Sequence, residues 1–502
     1  MKKDSPHKGL IRMGSGLPVF NAHAAGIDIG DTLHCVAISA GVDGHEVLTT
    51  SAFTCDLREI VTYLQENGIT TVAMESTGIY WLPLYIMLEE AGIEPYLVYA
   101  AHVKNVTGRK KDDTDSIWLQ KLHTCGLLQK SFQPENEMRV LRTYVRQRKR
   151  LILLGADAVR RMQKSLELMN IKLHTVISDL LGKTGMRMLK AIIGGERDPQ
   201  ILSTLCDPRI KASKEDILKS LEGVWNEEYL FMLEQAVEHY EFHQQQIKRC
   251  EEKIRQQLLK QVAIVKEGDI SSVYMPVSPT VEETVEETVE ETVEVIEVAQ
   301  GKGKGKGKVQ SKKTGGLVIS KVPKETKVIK ERKVKKNQFN SPIDTYLVGI
   351  AGVDLTKIPG ISEVTALEFL SEVGTDMGKW QNAKHFSAWL NLTPNTKITG
   401  GKIISSKMMK KDNKAGQCLR QAAACLSTNK SPMGDYYRTI RSRIGGKGAV
   451  VATAHKMARI IYNMLLKQTE YNEEMLVVNK NKVNQDKIKK LEKLLDRLKQ
   501  AA

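Results

Sequence analysis

The sequence predicts an α/β domain at the N-terminus and helical regions after it. Three observations carry this. Short apolar runs alternate with helix-like segments between Ala24 and Val98. Strand signals vanish from residue 135 onward, where long charged stretches take over. A low-complexity block then interrupts the chain. At 502 residues, two to four domains are expected.

The elements follow in order. Residues 1–23 read as a flexible lead-in. Strands are expected at Ala24–Gly30, His34–Ser39, Glu46–Thr50, Thr71–Met74 and Pro95–Val98, and helices at Leu57–Asn67 and Tyr80–Ala91. Asn67-Gly68 and Ala91-Gly92 each stop a helix before a strand. Three adjacent strands followed by helix–strand–helix–strand is the order of an RNase H-like sheet, assigned to 24–134. Residues 135–269 carry apolar residues at three- and four-residue spacing over Arg139–Leu168 and Glu227–Gln261, the pattern of antiparallel helices or a coiled coil. The basic residues Arg142, Arg146, Arg148, Lys149, Arg150, Arg160 and Arg161 form either a phosphate-contacting face or a solvated one. Residues 270–340 repeat Val-Glu-Glu-Thr and then Gly-Lys, which cannot build a core and read as a disordered insertion. A mainly α domain is expected over 341–470 and a charged helix over 471–502.

The formal net charge is +16 and the pI about 9.3, which points to a polyanion before an anionic membrane. Part of that charge sits in the insertion. Seven scattered cysteines without a CxxC pair argue against a zinc ribbon or a disulfide framework. The N-terminus lacks the apolar core of a signal peptide, and no window is apolar enough to span a bilayer. A cytoplasmic, nucleoid-associated protein is the expectation.

Four carboxylates form the candidate metal site. Asp28 lies in the apolar run Gly26-Ile27-Asp28-Ile29-Gly30. Glu75 ends the run Val72-Ala73-Met74, before a Ser76-Thr77-Gly78 turn. Asp112 and Asp115 follow the basic residues Arg109, Lys110 and Lys111, and their three-residue spacing puts both on one face of an expected helix. Converging carboxylates repel unless cations neutralise them, and oxygen-only ligands suit Mg²⁺ or Mn²⁺. Paired divalent ions serve phosphoryl transfer.

These motifs (GIDIG, MESTG with YW, GRKKDDTDSIWL) resemble those of the IS110/IS1111 family of insertion-sequence transposases, which are DEDD recombinases. The resemblance implies a RuvC-like N-terminal domain, a helical middle and a C-terminal transposase domain. Lys357–Ala366 reads as a helix-hairpin-helix-like element whose Pro359-Gly360 turn exposes backbone N–H groups to phosphate. Phe386–Pro394 looks like the family's aWlGLtP segment, with Asn391 where Gly is usual. In Asn395–Lys407, glycines, Lys397, Lys402, Lys407 and hydroxyls suit a loop that brings an alcohol to a phosphodiester. The family's nucleophilic serine corresponds to Thr399, with Ser405 and Ser406 as alternatives. Lys410–Gln417 resembles a family helix start, and His455 packs or touches phosphate rather than acting as a base.

The resemblance thus implies a DNA transposase that excises and integrates its own element, with DNA, a structured element-encoded guide RNA and further copies of the chain as partners. The alternatives are a metal-only RuvC-type junction nuclease and a non-catalytic nucleic-acid-binding derivative.

Overall fold

Five strands form in the N-terminal part, each where the sequence places a short apolar run. In the computed structural model the described residues are 18–41, 44–99, 114–268, 337–339, 342–409 and 413–473, together with 488 and 492. The expected lead-in (apart from 18–23), the insertion (apart from 337–339) and nearly all of the C-terminal helix lie outside them. The chain divides into two units, Met1–Pro134 and Glu135–Ala502.

The first unit is built on β1 (Ala24–Ile29), β2 (Leu33–Ala40), β3 (Gly44–Ser51), β4 (Thr71–Glu75) and β5 (Glu94–Val98). The spatial order is β3-β2-β1-β4-β5. β1, β2 and β3 form an antiparallel meander, whereas β4 and β5 run parallel to β1. Helices α1 (Thr54–Glu66) and α2 (Trp81–Glu90) make the crossovers. A third helix, α3 (Asp115–Thr124), follows β5.

Strand alternation sends successive side chains to opposite faces. Ala25, Ile27, Ile29, Val72, Met74 and Leu97 pack with Leu57, Ile60 and Leu64 of α1 and Leu84 and Leu88 of α2. Ala73 and Val98 turn the other way and meet Leu119 and Leu122 of α3. Both sheet faces are therefore covered, as near-continuous apolar strands require.

The second unit is helical among its described residues, apart from one hairpin. Helices α4 (Asn136–Leu168) and α7 (Glu227–Gly268) pack along each other. Between them, α5 (Lys183–Ile193) and α6 (Lys214–Leu221) help enclose a core with Met162, Leu166, Met188, Leu189, Ile192, Leu221 and Leu233. Next come α8 (Asp344–Ala351), α9 (Glu363–Val373) and α10 (Ala383–Trp389). The hairpin β6 (Lys397–Thr399) and β7 (Lys402–Ser405) follows, then α11 (Lys414–Ala424) and α12 (Pro432–Lys467), which bends at Gly445. An aromatic cluster holds this end: Trp380 lies 4.8 Å from Phe386 and 5.1 Å from Trp389, and the Tyr462 hydroxyl donates to the Trp380 carbonyl at 3.0 Å.

Several basic residues of α4 pair with carboxylates. Arg146 pairs with Glu372 and Lys149 with Glu368 of α9, both at 2.7 Å. Arg148 is buried and donates to Glu251 of α7 at 2.7 Å and to the Asn337 carbonyl at 3.0 Å, with its guanidinium 4.0 Å from the centre of the Phe339 ring. Arg160 and Arg161 pair with Asp157 on their own helix. Arg146, Arg148 and Lys149 thus join α4 to neighbouring helices. The breakage of a buried pair such as Arg148–Glu251 costs more than its formation gains.

One buried group gives the first unit a pH dependence. His123 of α3 is buried, 2.9 Å through Nε2 from the Thr71 hydroxyl and 4.8 Å from the Tyr96 ring centre. Burial pushes its pKa down to about 4, against the attraction of Glu94 and with the help of Lys130. The unfolded chain therefore takes up this proton first. The stability contribution is complete above pH 6.5 and is lost as pH falls toward 4. Denaturant titrations across that window should show a loss of up to about 3 kcal/mol from this group. His123→Gln should flatten that part of the profile, and an unchanged profile would refute the assignment.

Candidate active site

In the first unit, the candidate carboxylates are set by the register between β1 and β4. Gly26 lies opposite Ala73 and Ile27 opposite Met74. One step further along the parallel pair, Asp28 and Glu75 follow. Ile27 and Met74 both belong to the α1/α2 face, so Asp28 and Glu75 project to the α3 face, at the C-terminal ends of adjacent strands. Both are half-buried. Carboxyl ends of parallel strands are where open α/β sheets hold ligands.

Helix α3 closes this face because residue 26 is glycine. A Cβ there would stand 2.3 Å from the Gln120 nitrogen and 2.4 Å from the Ser116 carbonyl oxygen. The helix backbone thus rests directly on β1, two residues before Asp28. Asp115, the first residue of α3, adjoins this contact and is exposed. Thr114 caps the helix, its hydroxyl accepting from the Ile117 N–H at 3.4 Å. Asp115 lies in the first turn, where the helix dipole favours an acid.

Thr114 has an extended conformation (φ −67°, ψ 160°), and α3 starts at Asp115. The expectation that Asp112 and Asp115 share a helix face falls partly outside the described residues. Asp112 lies outside the described residues, together with Arg109, Lys110 and Lys111. Sequence reasoning missed Gly26 and Thr114. The signals were a glycine at the alternate position before a strand aspartate and a Thr-Asp pair opening a helix.

Next to Asp28, burial lowers the pKa of His34, opposed by the hydrogen bond to the Leu33 carbonyl and by the negative charge of Asp28. Among the described residues no three His, Cys, Asp or Glu side chains gather closely enough to hold a metal ion. The donors that do converge, Asp28 and Glu75, are all oxygen, which suits a hard divalent cation.

In the second unit, the candidate hydroxyls lie on the β6–β7 hairpin. Lys397 pairs with Ser405, Ile398 with Ile403 and Thr399 with Lys402. Gly400 and Gly401 make the turn at φ 55° and 75°, the left-handed pair of a two-residue hairpin loop. Among the described residues, nothing lies within 4 Å of where their Cβ atoms would stand. Thr399 and Ser406 are exposed, and Ser405 is partly covered and accepts from the Lys407 N–H at 3.4 Å.

The hairpin base is held by hydrogen bonds. The Asn395 N–H donates to the Lys407 carbonyl at 3.0 Å, and Asn391 Nδ2 donates to the Met409 carbonyl at 3.0 Å. Asn391 is buried at φ 54°, which explains why asparagine serves where the resembled segment has glycine. Asn413 caps α11, accepting from the Gly416 N–H at 2.8 Å, and its amide donates to the Trp389 carbonyl at 3.0 Å. Gly360, at φ 92°, packs on α11, where a Cβ would stand 2.8 Å from the Ala422 oxygen. Its glycine is thus required by packing. His455 is half-buried, and burial and then Arg459 lower its pKa.

A mixed sheet in this order, with acids at the ends of neighbouring parallel strands, fits an RNase H-like domain of the DEDD type. A transposase family model for IS110-type DEDD proteins matches residues 25–171. A second model, described as the IS116/IS110/IS902 transposase family, matches residues 354–438. These two matches support an IS110 family transposase. No curated protein matches it. The first matched segment contains Asp28, Glu75, Asp112 and Asp115, and the second contains Gly360 and the hairpin.

The Gly26 contact yields a direct test. Gly26→Val should push α3 from β1 and destabilise the chain by about 3 kcal/mol, at the upper end of overpacking costs. Thermal unfolding of the variant checks this, and a change under ~0.5 kcal/mol would show that α3 does not rest on the strand as described.

Proposed function

We propose that the protein is a DNA transposase that excises and integrates its own insertion sequence through a covalent protein–DNA intermediate. The observation that carries this is the register step that brings Asp28 and Glu75 to the ends of adjacent parallel strands, beneath the start of α3. Asp28, Glu75, Asp112 and Asp115 would hold the divalent cation, Mg²⁺ or Mn²⁺. When bound, that cation neutralises the carboxylates and supplies Lewis acidity at a phosphate.

The remaining chemistry belongs to the hairpin. The Thr399 hydroxyl attacks the scissile phosphorus. An Oγ–P bond forms, the bond from phosphorus to the leaving deoxyribose oxygen breaks, and that oxygen gains the proton that Thr399 loses. The energy of the broken bond is kept in the new phosphodiester for rejoining. Thr399 is favoured over Ser405 because it borders the open glycine turn, whereas Ser405 already accepts a backbone hydrogen bond. Lys397, Lys402 and Lys407 offset phosphate charge beside it, as Arg109, Lys110 and Lys111 do beside the carboxylates. Gly360 and its turn offer backbone N–H groups to a further phosphate. The proposal includes an element-encoded guide RNA and more than one copy of the chain.

The decisive experiment traps the protein on DNA carrying the element's own ends, with divalent metal and the element's RNA present or withheld, and maps the linked residue by mass spectrometry. An adduct on Thr399, abolished by Asp28→Asn with Glu75→Gln, is expected. An adduct on Ser405 or Ser406 would reassign the nucleophile. Cleavage that survives Thr399→Ala, Ser405→Ala and Ser406→Ala together, with no adduct, would replace the proposal with a metal-only nuclease.

A further inference from the structure

The hairpin carries apolar residues that the transfer chemistry does not use. Ile398, Ile403 and Ile404 are 61%, 66% and 67% exposed. Elsewhere in the second unit, Ile343, Ile358, Ile361 and Ile461 are buried. Scattered exposed isoleucines need no explanation, but three on one short hairpin form a patch. An isolated two-stranded hairpin gains little stability from its own pairing, so solvent alone gives no reason for such residues here.

The geometry concentrates the patch at a narrow tip. Ile398 and Ile403 face each other across the strands, one position before a two-residue turn. The register shifts between Lys397 and Ile398, so Ile404 is the extra residue of a bulge. Bulges re-aim side chains and bend the strand. Around the Cβ positions of the turn glycines there is open space among the described residues.

Charge selects the occupant. Residues 395–409 contain Lys397, Lys402 and Lys407 and no acidic residue. No ion pair appears for these three lysines among the described residues, in contrast to Arg146, Arg148 and Lys149 on α4. An apolar tip flanked by three lysines matches a surface that is polyanionic outside and apolar between its layers. Duplex DNA has that construction: phosphates along the edges and stacked bases within. Proteins that insert isoleucine or leucine between base steps unstack and kink the duplex in this way.

We infer that the β6–β7 hairpin is a DNA-unstacking wedge, in which Ile398 and Ile403 enter the base stack while Lys397, Lys402 and Lys407 grip the flanking phosphates. This rests on the transposase reading for the identity of the DNA. It adds a mechanical role: the tip opens the duplex beside the phosphate that Thr399 attacks.

The test uses the full chain with duplexes of the element's terminal sequence, each carrying 2-aminopurine at one position across the cleavage point, with the element's RNA added or omitted. Binding should raise the fluorescence several-fold at one or two adjacent positions. Ile398→Ser with Ile403→Ser should abolish that rise while changing the Kd less than about threefold. Lys397→Gln, Lys402→Gln and Lys407→Gln together should weaken binding and reduce the slope of log K against log salt by about 2.7, the value for three phosphate contacts. A rise that persists in the isoleucine variant overturns the wedge, as does normal binding and cleavage with no rise at any position. If the isoleucine variant instead changes sedimentation or vesicle binding and leaves the DNA signal intact, the tip docks another copy or a lipid surface and the wedge is wrong. Absence of all DNA binding, with and without RNA, would sink the transposase reading itself, which separates the two failures.

Discussion

The contact on which the first unit depends is between a glycine and a helix backbone. At Gly26 the β1 strand has no side chain on the α3 face, and the helix rests on the peptide itself. Leu119 and Leu122 then reach Ala73 and Val98 and seal that side of the sheet. The same approach sets the height of α3 above the strands and hence of Asp115 relative to the strand that bears Asp28. A β1 side chain at this point would raise the helix and move Asp115 away from the carboxylates of the strand ends. Core packing and site geometry are here one constraint.

The second unit shows how a chain with a formal charge of +16 distributes its cations. On α4 they are used internally. Arg146, Arg148 and Lys149 each meet a glutamate on a neighbouring helix, and Arg148 also reaches the backbone at Asn337. These pairs orient helices, and the partly exposed ones add little stability. On the β6–β7 hairpin the lysines have no nearby acid in sequence, and the hydroxyls beside them are open. Net charge does not separate the two cases, whereas the availability of a carboxylate partner does.

That difference explains what was legible in the sequence. The five strands and their order could be read because each is a short apolar run bounded by a helix stop or a polar turn, and both signals are local. The pairing of Arg146 with Glu372 spans 226 positions and has no local signature. Spacing alone does not reveal that Thr114 caps α3, so that the described helix starts at Asp115. The hairpin was read as a loop, although Thr-Gly-Gly-Lys flanked by isoleucines carries the signal of a two-residue turn. Its register, which sets Thr399 opposite Lys402, becomes visible only once the strands pair.

A hydroxyl nucleophile on an exposed hairpin raises a physical difficulty, since phosphoryl transfer demands a fixed attacking atom. The fold answers it at the base of the hairpin rather than at the tip. Asn391, held in a left-handed conformation and buried, ties the segment before β6 to Met409 after β7, and the Asn395 N–H closes the base on Lys407. Asn413 anchors the chain that leaves the hairpin to the Trp389 carbonyl, and Trp389 belongs to the aromatic cluster of Trp380, Phe386 and Tyr462. Hydrogen bonds therefore run from a packed core to the root of β6 and β7, while among the described residues nothing lies within 4 Å of the Cβ positions of the turn glycines. Such an element is stiff where it leaves the domain and incomplete where the chemistry is proposed. On the proposed mechanism, its isoleucines and Thr399 would gain fixed surroundings only when a substrate supplies them, so that binding and alignment of the proposed nucleophile would be the same event.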